Sequence, residues 1–251
     1  MPDNNQTAAA IILAAGKGTR MKSDLAKVLH SLAGRPMIHY VLKTALEIPA
    51  DPIIVVVGHQ KDRVMQELQD YPVHFAVQEP QMGTAHAVTC ALQEMRGING
   101  PVLILSGDVP LIKTSTLISL LNHHLKRNPA ATVMTAKTDN PTGYGRILRK
   151  ADGDIAAIVE ERDASDSIRS IQEINSGIYI FELKCLRRIL PKIGMENDQR
   201  EYYLTDAVKL LVEEGESVAA FLGDFREVMG INTIAELESA GEWISNGNFG
   251  I

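Results

Sequence analysis

Short, largely apolar runs constrain the fold more than any other feature of this sequence. Four of them, rich in β-branched residues, lie in the first half of the chain: AAIILAA (9–15), PIIVVVG (52–58), VHFAV (73–77) and VLILSGD (102–108). Strands of this kind are typical of a sheet that is covered on both faces. Between them, apolar residues recur three and four positions apart, which predicts helices at 36–46, 61–68, 84–95 and 114–126. The alternation predicts an α/β fold with a Rossmann-like, doubly wound, mostly parallel sheet.

The second half of the chain has a different pattern. Alternating strands are expected at 131–137, within 145–161 and at 173–181, and the Asp152-Gly153 pair is typical of a hairpin turn. We therefore expect a mixed sheet with a small β lobe at about 131–181. Helices are predicted again at 203–214 and 233–245, followed by a frayed end, NGNFGI.

Composition excludes several classes of function. The net charge of −6 comes without any long block of Lys or Arg, so nucleic-acid binding is not expected. Cys90 and Cys185 lie far apart without metal-ligand spacing, which favours free thiols. No apolar run reaches about 18 residues and the segment MPDNNQT carries no cation, so neither a membrane span nor a signal peptide is predicted. We expect one soluble, cytoplasmic domain of 251 residues, and the oligomeric state, a monomer included, stays open.

Unusual loops follow the predicted strands, and the first of them resembles a phosphate-binding loop. Gly16-Lys17 has no glycine five positions earlier and no Ser or Thr after the lysine, so it is not a Walker A loop. Met21 stands where the dinucleotide fingerprint needs its third glycine. Two interpretations remain: a turn that presents N–H groups and cations to phosphate, or an ordinary turn with solvated cations. Because the loops starting at Gly58, Gln78 and Ser106 also follow strands, all four are expected to line one crevice.

Few residues in the sequence are strong candidates for chemistry. Asp108 follows an apolar strand and fits a Mg²⁺ ligand, with a turn or helix cap as the alternative. The Asp152-Gly153-Asp154 triplet has the spacing of an Asp-x-Asp metal motif, but its position between two alternating runs favours a hairpin turn. His86 is interpreted as a packed helix residue, and the pair His123-His124 as part of a solvated helix face.

Eight motifs, in order from about residue 9 to 233, resemble one family of enzymes. They are LAAGKGTRMKSDLAKVLHSLAGRPMI, QEPQMGTAHAV, SGDVPL, NPTGYGRI, IVEERDA, QEINSGIYIF, EYYLTD and VMGINT. This set is similar to the uridylyltransferase domain of the bacterial N-acetylglucosamine-1-phosphate uridylyltransferases, in the sugar-nucleotidyltransferase superfamily. The resemblance implies a fold of the nucleotide-diphospho-sugar transferase type. Two positions depart from the family pattern, Ala26 in place of a common proline and Ser106 in place of a common tyrosine. No hexapeptide repeat is visible, so we expect no left-handed β-helix acetyltransferase domain in this sequence.

The resemblance also implies roles for individual residues. Arg20, Lys27 and Asp108 are the implied catalytic residues, and Asp108 and Asn232 the implied ligands of Mg²⁺. The implied nucleotide-binding residues are Leu13, Ala14, Ala15, Gly16, Lys27, Gln78, Gly83, Thr84, Ser106, Gly107 and Asp108. The implied sugar-binding residues are Gly145, Glu160, Asn175 and Asn232. Accordingly we expect a nucleotide-binding half at 8–130, a sugar-binding half at 131–232, and a C-terminal helix and tail at 233–251.

The reaction implied by the resemblance is the formation of UDP-N-acetylglucosamine and pyrophosphate from UTP and N-acetylglucosamine 1-phosphate. In the family this product serves cell-wall peptidoglycan and lipopolysaccharide biosynthesis. Two alternatives stay open: a related enzyme for another nucleotide or sugar 1-phosphate, and a protein that binds sugar nucleotides without catalysis.

Overall fold

Eleven strands form the framework of the part of the chain that the computed structural model describes, residues 8–246. They are β1 (Ala8–Ala14), β2 (Ser31–Leu32), β3 (Arg35–Pro36), β4 (Ala50–Val57), β5 (His74–Val77), β6 (Pro101–Ser106), β7 (Ala131–Lys137), β8 (Arg146–Arg149), β9 (Ile155–Val159), β10 (Glu173–Glu182) and β11 (Val218–Leu222). The α-helices in the same residues are α1 (Met37–Leu46), α2 (Lys61–Glu67), α3 (Thr84–Gln93), α4 (Thr114–Arg127), α5 (Asp166–Arg169), α6 (Leu183–Ile189), α7 (Leu204–Glu213), α8 (Phe225–Val228) and α9 (Ile234–Ser245).

One mixed sheet contains nine of these strands. Its main path runs β11-β7-β10-β6-β1-β4-β5, while β8 and β9 form a hairpin attached to β10. β1 pairs in parallel with both β4 and β6, β5 is parallel to β4, and β11 is parallel to β7. β10 lies antiparallel between β6 and β7. The predicted mostly parallel, mixed sheet is therefore confirmed.

The sheet is covered on both faces, as the apolar strands predict. Alternate residues of β1 point to opposite sides, so Ile11 packs in one buried cluster with residues of α3 and α7, and Ile12 in another with residues of α1 and α4. A third cluster joins α9 to α1 and to Met21 of the first loop. This three-layer arrangement is the doubly wound architecture, and it holds the carboxyl ends of β1, β4 and β6 at one edge.

The second half of the chain differs in part from the sequence-based expectation. β7 and β10, which we placed in an added lobe, belong to the main sheet, and only the β8–β9 hairpin extends from it. The hairpin turn at Asp152-Gly153 is confirmed, since Gly153 has a φ of +91° and Lys150 N donates to Asp154 O at 2.8 Å. β11 and α6 were not predicted. Residues 247–251 of the expected frayed end lie outside the described residues.

The prediction of a solvated His123-His124 pair is wrong for His124. Its side chain is buried between Thr132 Oγ1, 2.8 Å from Nδ1, and Glu182 Oε1, 3.2 Å from Nε2. The reason is helix geometry, because His124 follows the buried Leu120 and Leu121 by four and three positions and shares their face. His123 is half-buried with its ring 5.5 Å from that of Phe221, so it is not fully solvated either.

Two further observations bear on the excluded classes of function. The two cysteines are free thiols, as expected. Within residues 8–246, no helix is both long enough and apolar enough to cross a bilayer.

Candidate active site

Four loops meet at the carboxyl edge of the parallel strands. Backbone hydrogen bonds fix them to one another: Gly107 N donates to Leu13 O at 2.9 Å, His59 N to Ala15 O at 3.1 Å, and Ile231 N to Asp108 O at 2.8 Å. Three of them, starting at Gly16, Gln78 and Ser106, line a cavity of about 540 Å³. The expectation that the loop starting at Gly58 also lines it is wrong for the described residues, because this loop packs behind the first one. A cavity at this position is where open α/β sheets bind their ligands.

Most of the residues implied for nucleotide binding line this cavity. Those that do are Leu13, Ala14, Ala15, Gly16, Lys27, Gln78, Gly83, Thr84, Ser106 and Asp108. Arg20, implied as catalytic, and Asn232, implied as a metal ligand, line it as well. Gly107 does not line it but lies beneath, where a Cβ would stand 3.0 Å from Leu13 O. Sequence reasoning missed Gln81 and Glu201, which line the same cavity and lie within the quoted QEPQMGT and EYYLTD motifs.

Two cationic side chains and two side-chain oxygens that accept hydrogen bonds from them form the polar centre of the cavity. The Lys27 ammonium donates to Asp108 Oδ2 and, at 2.6 Å, to Asn232 Oδ1. Arg20 Nη2 donates to the same Asn232 oxygen at 2.7 Å. Lys27 keeps 12% of its side chain exposed and Asp108 25%, so the pair is largely withdrawn from water but reachable from the cavity. Such a centre would attract and orient an anion.

The orientation of Asn232 follows from the start of α9. Thr233 and Glu236 form a capping box, and Glu236 Oε2 also accepts from Asn232 N at 2.7 Å. Asn232 Nδ2 donates to Gly230 O at 3.0 Å. Because its N–H side is held by Gly230, the amide presents its oxygen to the cations.

The same oxygens fit a divalent cation that is shared with a substrate. Asp108 Oδ2 and Asn232 Oδ1 converge on one point, since both contact the Lys27 ammonium. Carboxylate and amide oxygens are hard ligands, and Mg²⁺ is usually held by one or two carboxylates together with substrate phosphates. Within residues 8–246 no group of three or more His, Cys, Asp or Glu side chains could hold a metal ion. The donor set therefore suits a phosphate-bound ion better than an all-protein metal site.

At the other end of the cavity, Gln78 is fixed by its own loop. Its side chain is 3% exposed, Nε2 donates to Gly83 O at 2.8 Å, and His86 Nδ1 lies 3.3 Å from the same nitrogen. Gly83 has a φ of +102°, and a Cβ there would stand 2.5 Å from Tyr202 O, so only glycine fits. Thr84 Oγ1 accepts from Leu204 N at 2.9 Å, which ties this loop to α7.

Three of the four residues implied for sugar binding, Gly145, Glu160 and Asn175, form a second cluster outside the lining of the cavity, whereas the fourth, Asn232, belongs to that lining. Asn175 N donates to Gly145 O at 2.9 Å, and a Cβ at Gly145 would lie 3.5 Å from Glu160 Oε2. Thr205 Oγ1 donates to Glu160 Oε1 at 3.1 Å. Burial raises the pKa of the Glu160 carboxyl, and the hydrogen bond from Thr205 offsets part of that rise.

The two clusters are connected through β10. Ser106, which lines the cavity, donates from Oγ to Gly177 O at 3.4 Å, and Gly177 lies two residues from Asn175 in the chain. Tyr144 directly precedes Gly145 of the second cluster. Burial raises the pKa of its phenol, and among the charges of the polar centre Asp108 raises that pKa while Arg20 lowers it.

Comparison with known proteins gives consistent results. The chain is similar to the bifunctional protein GlmU of Geotalea uraniireducens, with 50% identity over 236 residues, covering 93% of this chain and 52% of that protein. It is 49% identical over 234 residues to bifunctional protein GlmU of Trichlorobacter lovleyi, covering 92% and 51%, and 44% identical over 248 residues to that of Corynebacterium efficiens, covering 96% and 51%. The chain thus spans about half the length of the curated relatives it matches.

A solved structure and a family profile place the fold. A crystal structure of UDP-glucose pyrophosphorylase complexed with UDP-glucose is similar to it with a TM-score of 0.77 and 17% sequence identity, covering 96% of this chain and 99% of that chain. That likeness confirms the predicted nucleotide-diphospho-sugar transferase fold type. The profile of the MobA-like NTP transferase domain matches residues 10–174, which include the glycine loop, Asp108 and Glu160. The chain therefore belongs to the family of MobA-like NTP transferase domains.

Proposed function

We propose that this chain is a uridylyltransferase that forms UDP-N-acetylglucosamine and pyrophosphate from UTP and N-acetylglucosamine 1-phosphate. The observation that carries the proposal is the convergence of Arg20, Lys27 and Asp108 with Asn232 beside a glycine loop at the carboxyl edge of the sheet. An enzyme that transfers a nucleotidyl group from a nucleoside triphosphate needs such a centre, because its substrate is a polyanion and its leaving group is pyrophosphate. The motif resemblance supplies the choice of uridine and of N-acetylglucosamine.

The proposed chemistry is an in-line attack of the sugar phosphate oxygen on the α-phosphorus of UTP. A phosphate monoester with a second pKa of about 6 is largely a dianion at neutral pH, so the nucleophile needs no general base. The residues of this chain would then act by positioning the two substrates and by compensating negative charge.

Each residue of the polar centre has a proposed part in this reaction. Arg20 and Lys27 would contact the phosphates and compensate the charge that develops on the departing pyrophosphate. Asp108 and Asn232 would hold Mg²⁺, which when bound supplies a positive charge that polarises the phosphoryl group. In the described structure Lys27 contacts both of these oxygens, and in the substrate-bound enzyme its ammonium would turn from them toward the phosphates.

Base and sugar recognition are assigned to the two ends of the site. Gln78, already fixed by Gly83, would pair with the uracil edge through its side-chain amide. Gly145, Glu160 and Asn175 would bind the sugar hydroxyls, with the half at 131–232 serving the sugar and the half at 8–130 the nucleotide. The two free thiols, Cys90 and Cys185, support a reducing compartment, and we assign the activity to the cytoplasm.

One assay tests the proposal against both alternatives. Purified protein is given each of the four nucleoside triphosphates with N-acetylglucosamine, glucosamine or glucose 1-phosphate, and pyrophosphate release is followed with MgCl₂ or EDTA. We expect UTP with N-acetylglucosamine 1-phosphate to give the highest kcat/KM, and EDTA to stop turnover. A better rate with another sugar or nucleotide would refute the named product. Binding of the sugar nucleotide without metal-dependent pyrophosphate release would refute catalysis.

A further inference from the structure

The regular pairing of β10 is interrupted beside the proposed sugar site. Asn175 pairs with Thr135 and Tyr179 with Val133, so four steps along β10 span only two along β7. The bulge surrounds Gly177, whose φ is +78°. Its backbone is held by Ser176, whose hydroxyl donates to Met134 O at 2.6 Å and accepts from Ile178 N at 3.1 Å. Bulges of this kind redirect side chains next to active sites.

The bulge brings together two side chains that a regular strand would separate. Residues four positions apart in a strand lie about 13 Å apart along it. Here Asn175 Nδ2 donates to the Tyr179 hydroxyl at 2.7 Å. On its other side, Asn175 Oδ1 accepts from Gly177 N at 3.2 Å. A flipped amide would set its N–H groups against the N–H of Gly177, so the two contacts together allow one orientation.

The Tyr179 phenol is well suited to act as a fixed partner. The side chain is 4% exposed and its ring lies 5.7 Å from that of Phe181, in the buried cluster on the α3–α7 face of the sheet. Burial raises the pKa of the phenol, and the negative charge of Glu160 raises it further. Both effects favour the neutral hydroxyl, and burial together with the hydrogen bond to Asn175 keeps it in place.

We propose that Tyr179 is a positioning residue of the sugar site, whose phenol holds the Asn175 amide in the single orientation that it presents to the sugar phosphate. The inference rests on the function proposed above. Tyr179 itself lies behind Asn175 and acts through it. Its removal weakens the binding of one substrate only, because Ser106 and the rest of the nucleotide cavity keep their own contacts.

The test compares Tyr179→Phe, Asn175→Ala and the double variant. Losing one hydrogen bond of ordinary strength in Tyr179→Phe is expected to raise the KM for N-acetylglucosamine 1-phosphate about two- to tenfold, with the KM for UTP unchanged. In the Asn175→Ala background the same change should have no further effect on the sugar KM. The matched control is Tyr40→Phe, which removes the hydroxyl of another buried tyrosine, bonded to Leu32 O at 2.6 Å. Tyr40 belongs to a different buried cluster from Tyr179, so this change should leave both KM values unchanged.

A second readout follows the amide directly in the protein without substrate. In wild type the side-chain NH₂ resonances of Asn175 should exchange slowly with water, and in Tyr179→Phe they should exchange faster. Equal increases of both KM values, an unchanged sugar KM, or additive effects in the double variant would overturn the inference. A wild-type protein that turns over no sugar phosphate would instead overturn the proposed function, whereas normal wild-type turnover with an unaffected Tyr179→Phe variant overturns the inference alone.

Discussion

Replacing Gly18 with alanine tests whether the turn after β1 is shaped to position Lys27. Gly18 has a φ of +64°, and a Cβ at this position would lie 2.6 Å from Lys27 Cβ and 3.0 Å from its Cγ. Ordinary contact between carbon atoms begins at about 3.5 Å, so the Lys27 side chain must move by about 1 Å. The left-handed backbone adds a strain of about 1–2 kcal/mol that is independent of that contact.

The expected result separates the two effects. A displacement of about 1 Å in an active-site group can lower the rate about 100-fold, so Gly18→Ala should lose about that factor in kcat/KM for pyrophosphate release. The backbone strain should lower Tm by about 2–4 °C for each kcal/mol. Gly97→Ala is the matched control, because Gly97 has a φ of +79° and no atom within 4 Å of its Cβ position. It should lose similar stability and keep full turnover.

The assay is the pyrophosphate-release measurement described above, paired with thermal unfolding of each variant. If Gly18→Ala and Gly97→Ala lose the same stability and both retain wild-type kcat/KM, the steric link between Gly18 and Lys27 has no functional role. A large loss of activity in Gly97→Ala would show that strain alone, without displacement of Lys27, accounts for the effect.

Three further predictions concern charge. Asp108→Asn should retain the fold by circular dichroism and lose most Mg²⁺-dependent turnover; wild-type turnover would exclude Asp108 as a metal ligand. Lys27→Met removes the ammonium that contacts Asp108, so it should bind Mn²⁺ at least tenfold more tightly in electron paramagnetic resonance titrations. Lys17→Met, at an exposed lysine of the same cavity, should change the Mn²⁺ affinity little. Equal gains in affinity for the two variants would refute direct competition between Lys27 and the cation. Burial raises the pKa of Glu160 in the folded protein, so the folded protein favours the protonated carboxyl more than the unfolded chain does. The free energy of unfolding therefore decreases as the pH rises through the folded pKa. Glu160→Gln should therefore have a higher Tm than wild type at pH 8 and an equal Tm near pH 4, with a raised sugar KM at both; a lower Tm at pH 8 would contradict this reasoning.

The parallel half of the fold could be predicted because its information is local. The apolar runs at β1, β4, β5 and β6 and the helical periodicity between them lie within windows of a few residues. The position of β10 could not be predicted in this way. Its antiparallel insertion between β6 and β7 depends on pairing across long separations, which periodicity does not encode. β11 was missed because VAAFL is short and has few β-branched residues.

The candidate site was accessible to sequence reasoning only through its motifs. Lys27 and Asp108 are separated by 81 positions and Lys27 and Asn232 by 205, and no local pattern connects them. Loop positions after strands indicated a crevice, and the ordered motifs assigned residues to it. Gln81 and Glu201 lay within those motifs but carry no distinguishing chemistry by type. The burial of His124 follows from its position on the helix face of Leu120 and Leu121, which the polarity of the His123-His124 pair does not indicate.

The antiparallel strand at the centre of the sheet has a consequence for the order in which the protein is assembled. β6 forms one ladder with β1, and within residues 8–246 its other edge pairs with β10, as in Ile104 with Tyr179 and Val102 with Phe181. During synthesis β6 leaves the ribosome well before β10 does, and until then its free edge exposes unpaired backbone groups beside an apolar surface. Cooperative closure of the sheet formed by residues 8–130 must therefore wait for a strand from the second half of the chain. The strand that connects the cavity with the cluster around Glu160 in the folded protein thus makes the nascent chain dependent on residues that are synthesised late. Until they arrive, the chain is exposed to edge-to-edge association.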